Sequence, residues 1–302
     1  MKKLTLISFC YLLLAAEISS QVISSEEVKI HINNKTSTGV AEQNNILFLA
    51  GDNNIYGRYY ALVIGIDNYT DPDINKLKIP VRDADLFYNE ITTRYTFEKN
   101  NVEFLKDPSM DEITDALDSF AKKVGTSDNF LIFYEGQGYW DVSTETGFWL
   151  PSDAKGAGYW FLPSDETESK GLAWLSNKML INYLQKINSK HTLLVTSTCF
   201  GGSVFSAKAV DKGPAVAISS LNELTGKKAI TSGELSNNPA QSDFLKYLLD
   251  NLEKNTEKYL PSEKLFINAL KSVSNNGNVI PRFGEINNSG DSGGDFIFIL
   301  KD

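Results

Sequence analysis

The sequence predicts an α/β protein of three layers, in which a mostly parallel central sheet carries helices on both faces. Three observations lead there. Continuous apolar runs of strand length recur along the chain, amphipathic segments of helical period separate them, and no change of composition divides residues 58 to 302. An apolar run with no alternation suits a strand buried on both faces, which is the environment of a parallel sheet.

The elements follow in order. Tyr60 to Ile66, YALVIGI, is the first such run, and a helix is expected from Val81 to Arg94. Asn101 to Asp107 reads as the second strand. Ser109 and Glu112 then form a capping-box pattern ahead of Ile113, Leu117, Phe120 and Val124, which share one helical face. Asp128 to Gly136 is the third strand, Met179 to Ile187 an amphipathic helix, and His191 to Cys199 the fourth strand. Beyond it come a short strand at Lys228 to Thr231, helices at Ser242 to Leu252 and Ser262 to Val273, and a last strand at Asp295 to Leu300. FWLPSD at residues 148–153 returns as WFLPSD at 160–165, which reads as a small duplication lengthening a surface loop or as a lid over a site.

Residues 1–20 read as an export signal: Lys2 and Lys3 precede an apolar run from Leu4 to Ala16, with small residues at Ser19 and Ser20. The run falls short of the roughly 20 apolar residues that span a bilayer, so no membrane anchor is expected in the mature chain, which would be periplasmic or extracellular. Cys10 lies inside the run, and its removal leaves Cys199 as the single thiol, with no internal disulfide. Residues 21–57 form a polar extension. A formal charge of -9 with no basic cluster argues against nucleic acid as a partner.

In an open α/β sheet, ligands sit beyond the carboxyl ends of the strands. The third strand ends at Gly136-Gln137-Gly138 and the fourth at Cys199-Phe200-Gly201-Gly202, so both point at one crevice. A thiol in that position fits an exposed nucleophile, and equally a buried structural cysteine. No zinc-spaced cluster or phosphate-binding glycine loop is present. Thr70 to Asp73, TDPD, offers oxygens that calcium could use, without the spacing of an EF-hand loop, so no metal or other cofactor is expected.

Taken together, YALVIGIDNY, LKIPVRDADLF, DNFLIFYEGQGYWD, HTLLVTSTCFGGSVF, KAITSGELS and GDSGGDFIFIL resemble the caspase-like cysteine peptidases, the group of caspases, metacaspases and bacterial relatives, over residues 58–302. The resemblance implies the three-layer caspase-like fold and a crevice for a peptide or protein segment. It carries the nucleophile to Cys199 and the oxyanion donors to the backbone of Gly138 and Cys199. The family's catalytic histidine falls on Gln137, and its aspartate two places before the cysteine falls on Ser197. Asp67, Ser197 and Glu135 are candidates to line the substrate pocket.

An amide cannot take a thiol proton or protonate a leaving amine, so cysteine-type endopeptidase activity is expected to be weak or absent. The sequence holds two histidines in all. His191 opens the strand that Cys199 closes, eight steps or about 26 Å away, and reads as a capping or solvent-facing residue. His31 lies in the polar extension. Glu135, two places before Gln137 and so on the same strand face, is the remaining base. A carboxyl titrating near 4.3 serves a thiol near 8.5 poorly unless strongly desolvated, and its charge would hold the thiol protonated. Pairing with a nearby Lys or Arg is its alternative role.

Overall fold

A computed structural model describes residues 56–141, 143–156, 172–197, 204–205, 218–232, 243–272 and 281–302. Six strands form the central sheet: β1 (Tyr59–Gly65), β2 (Val102–Lys106), β3 (Asn129–Glu135), β7 (His191–Thr196), β8 (Gly226–Thr231) and β10 (Arg282–Glu285), in the order β10-β8-β7-β3-β1-β2. Every neighbouring pair is parallel except β10 on β8. This is the mostly parallel sheet that the apolar runs predict.

Side chains on a strand alternate between faces, and the core divides accordingly. Tyr60, Leu62 and Ile64 of β1, with Phe130, Ile132 and Tyr134 of β3, pack on one face against helices α2 (Met110–Lys123) and α3 (Asn177–Lys186). Tyr59, Ala61 and Val63, with Leu131 and Phe133, face the other way onto α1 (Pro80–Arg94), α5 (Asp243–Glu253) and α6 (Ser262–Ser272). A short helix, α4 (Ile218–Glu223), precedes β8. The capping box of α2 is present: Ser109 Oγ accepts the Glu112 N–H at 3.3 Å, and Glu112 Oε2 accepts the Ser109 N–H at 2.7 Å.

Two departures from the sequence reading concern short strands. Directly after β3 the chain turns into a three-stranded antiparallel sheet of β4 (Gly138–Asp141), β5 (Thr146–Trp149) and β6 (Leu175–Ser176). The first FWLPSD copy is therefore not a surface loop: Phe148 and Trp149 are buried on β5, Trp149 stacks on Tyr134 with ring centroids 4.0 Å apart, and Asp153 Oδ1 accepts the Met110 N–H at the start of α2. The second copy lies outside the described residues. The last strand, β11 (Ile297–Ile299), pairs with β9 (Tyr259–Pro261) in a separate antiparallel ribbon and does not extend the central sheet.

Candidate active site

The site is built where β3 and β7 end. Strand β3 stops at Glu135, and Gly136 turns the chain in a tight space, since a Cβ there would lie 3.0 Å from the Tyr134 hydroxyl and 3.2 Å from that of Tyr69. Gln137 is then fixed on four sides. Its N–H donates to the Tyr69 hydroxyl at 2.6 Å, and its carbonyl accepts from the Tyr134 hydroxyl at 2.8 Å and the Leu150 N–H at 3.1 Å. Its side-chain Nε2 donates to the Asn75 carbonyl at 3.0 Å. Burial pushes the Tyr69 phenol up, so its hydroxyl stays neutral.

Gly138 opens β4 opposite Trp149. Antiparallel ladders alternate hydrogen-bonded and open pairs, and the Leu150-to-Gln137 bond makes the preceding pair the bonded one. The Gly138 N–H consequently points away from β5, free of the hairpin ladder.

Glu135 is the last residue of β3. It lies on the α1 side of the sheet, only 7% exposed. Its Oε2 is buried with no hydrogen-bond partner among the described residues. Burial first, then the charges of Asp83 and Asp67, push its pKa up to about 8, against the opposing pull of Ser197 and Arg82. No lysine or arginine among the described residues forms an ion pair with it: the Arg82 guanidinium binds Asp83 instead, at 2.8 and 2.9 Å. The surface ion pair that is one of the two sequence readings of Glu135 is thus replaced by a desolvated carboxyl.

Asp67 sits at the amino end of α1. Helix α1 begins with Pro80 and has no capping side chain of its own, and Asp67 Oδ1 accepts the Val81 N–H at 3.2 Å. Burial raises the Asp67 carboxyl above its ordinary value. Asp107, with φ 50°, clamps the same turn by accepting the N–H groups of Asp67 at 2.7 Å and Asn68 at 2.9 Å. Ser197 follows β7: its N–H donates to the Tyr134 carbonyl at 3.4 Å, and its own carbonyl accepts from Ser232 Oγ at 2.8 Å. Cys199 and His31 lie outside the described residues.

His191 is the one histidine among the described residues, and it is buried, not solvent-facing. Its Nδ1 and Nε2 lie 2.7 Å from Asn129 Oδ1 and 2.9 Å from the Leu224 carbonyl, and burial pulls its pKa down to about 4. It pairs with Asn129 and Gly226 at the amino ends of their strands. Five steps of β7 put it about 17 Å from Thr196 at the other edge. In the Thr70–Asp73 turn, both Asp71 oxygens are held by backbone, Oδ1 by the Asp73 N–H at 2.9 Å and Oδ2 by the Gly156 N–H at 3.1 Å. No group of three or more metal-ligating side chains occurs among the described residues.

The sequence reading missed Tyr69, Asn75, Arg82 and Asp83 as parts of this site. A tyrosine just past the first strand end was a usable signal, because that edge faces the crevice. The other three lie in a loop and on a helix where the sequence marks nothing.

The sheet order and the crevice define a caspase-like α/β domain. The chain matches the family model of the caspase domain over residues 58–283, well over half its length, and it belongs to that family. No curated protein matches it. Among the described residues, no helix is long and apolar enough to cross a membrane.

Proposed function

We propose that this is an exported caspase-like domain that holds a peptide or protein segment in the crevice beyond β3 and β7 and turns it over slowly or not at all. The observation that carries this reading is Gln137, at the family's histidine position, with its side-chain amide donating to the Asn75 carbonyl. An amide held in that way exchanges no proton near neutral pH, and His191 is at the far edge of the sheet with both ring nitrogens engaged. Cys199 is the nucleophile retained from the family pattern, Gly138 supplies an N–H to the crevice, and Asp67, Ser197 and Glu135 line it. The amino-terminal signature supports export, to a periplasmic or extracellular site.

Incubation with a diverse quenched-fluorescent peptide library tests the reading. Binding with little or no cleavage is expected; efficient cleavage that disappears in Cys199→Ala would refute it.

A further inference from the structure

The antiparallel sheet after β3 leaves one edge open, and that edge begins in the crevice. The sheet order is β4-β5-β6, so β4 pairs only with β5, and its first residue, Gly138, lies next to Gln137. Residues along an antiparallel strand alternate between bonded and open pairs. The Gln137 carbonyl accepts the Leu150 N–H, so Tyr139 and Asp141 turn their N–H and C=O groups to β5, while Gly138 and Trp140 turn theirs away from it. Among the described residues, these outward groups have no hydrogen-bond partner. The strand is half-buried at Gly138, Tyr139 and Trp140, so the edge is within reach of solvent.

Folded proteins block open sheet edges with charges, proline or a covering segment, because an open edge pairs with any extended chain. Elsewhere in this domain such blocks are in place. β2 carries Glu103 and Lys106, the bridge from Phe205 to Ile286 lies at the end of β10, and β9 ends in Pro261. Gly138 to Trp140 hold neither a charge nor a proline. The acid that follows, Asp141, is spent on the hairpin turn, where it accepts from the Ser143 N–H at 2.8 Å and from the Ser143 and Thr144 hydroxyls at 2.7 and 2.5 Å. Gly138 has no side chain to hold another backbone away. Trp140 shares its strand face, and the half-buried indole belongs to neither half of the core, whereas Tyr139 packs on Trp174 with ring centroids 5.3 Å apart.

We propose that β4 recognises its ligand by strand addition: the peptide segment held in the crevice continues along Gly138 and Trp140 as an added strand of this sheet. The inference rests on the part of the proposed function that places a peptide in the crevice, and it names how that peptide is read. Gly138 and Trp140 are two strand steps, about 7 Å, apart, so residues i and i+2 of an extended segment meet both. In an antiparallel segment each of those residues exchanges an N–H and a C=O bond with its partner on β4. Main-chain bonds of this kind select an extended backbone and not a sequence. Trp140 supplies the preference, because the side chain opposite it falls against the indole and favours an aromatic or aliphatic residue there.

The test uses the full chain carrying Cys199→Ala, so that turnover does not interfere, and the tightest-binding member of the peptide library. Amide hydrogen exchange is read at Tyr139 and Trp140 with and without saturating peptide. The Trp140 N–H is expected to slow by at least about 10-fold, while the Tyr139 N–H, already bonded to β5, changes far less. Trp140→Pro in the same background removes an outward N–H and breaks no bond to β5; it is expected to bind the peptide about 10-fold more weakly, with its melting curve little changed. Exchange at Trp140 that the bound peptide leaves unchanged would overturn the inference, whether or not Trp140→Pro folds, and would leave the proposed function standing. A folded Trp140→Pro that binds like its parent would do the same. No binding by any member of the library would sink both. Efficient Cys199-dependent cleavage by the unaltered chain would sink the proposed function alone, because exchange at Trp140 would still decide how the segment is held.

Discussion

Replacing Glu135 by Gln should stabilise the protein in alkali, and the size of the effect follows from the burial of the carboxyl. In the unfolded chain the group releases its proton near pH 4.5; in the folded protein it keeps it to about pH 8. Below about pH 4.5 both states are protonated and the group contributes nothing to the pH dependence. As pH rises from there, the unfolded state is favoured by ionisation that the folded state resists, and the loss is complete above pH 8. At about 1.4 kcal/mol for each pH unit of that gap, the full loss is roughly 5 kcal/mol, a large part of the 5–15 kcal/mol that stabilises a typical domain. Glu135→Gln cannot ionise. It should match the unaltered chain within about 1 kcal/mol at pH 5 and exceed it by about 3–5 kcal/mol at pH 8. Asp295, raised to about 6 by burial, adds its own decline over a similar range, but it is present in both proteins and cancels in the difference. Urea denaturation at the two pH values measures this directly. A variant less stable than the unaltered chain at pH 8 would mean that Glu135 is a paired carboxylate and not a desolvated acid.

Two further outcomes test the frame around the site. Trp149→Ala removes a fully buried indole stacked on Tyr134 and should cost about 3–5 kcal/mol in denaturant unfolding, whereas a loss under about 1 kcal/mol would show that β5 is not packed against the end of β3. Ser109→Ala breaks the capping box of α2 and should cost about 1 kcal/mol in denaturant unfolding, whereas an unchanged midpoint would show that the cap does not hold α2.

Long apolar runs made the central sheet legible. β1, β3 and β7 are each buried at every position, so burial on both faces leaves a continuous signal in the sequence. α2 was equally plain, with its cap and its apolar face in register. The antiparallel sheet that frames Gln137 was not, because GYWD, TGFW and the two residues of β6 are too short to show a period of two. β11 was visible as a strand, but its partner β9 has three residues and ends in Pro261, so the ribbon they form left no trace.

The candidate site divides in the same way. Gln137, Gly138 and Ser197 could be found because each ends, or directly follows, a readable strand. The state of Glu135 could not, since it depends on Asp83 and Arg82, which the packing of α1 on the sheet brings to it, and on Asp67, which the pairing of β1 with β3 brings. Likewise, His191 reads as polar and exposed at a strand start, yet its bonds to Asn129 and Leu224 bury it.

Position 137 lacks the group needed for fast proton transfer, and the Gln137→His variant supplies it. Cleavage of the peptide library at pH 7 by this variant should exceed that of the unaltered chain by about 100-fold or more, and should vanish on adding Cys199→Ala. An unaltered chain that already cleaves as fast as its Gln137→His variant would show that proton transfer does not limit it.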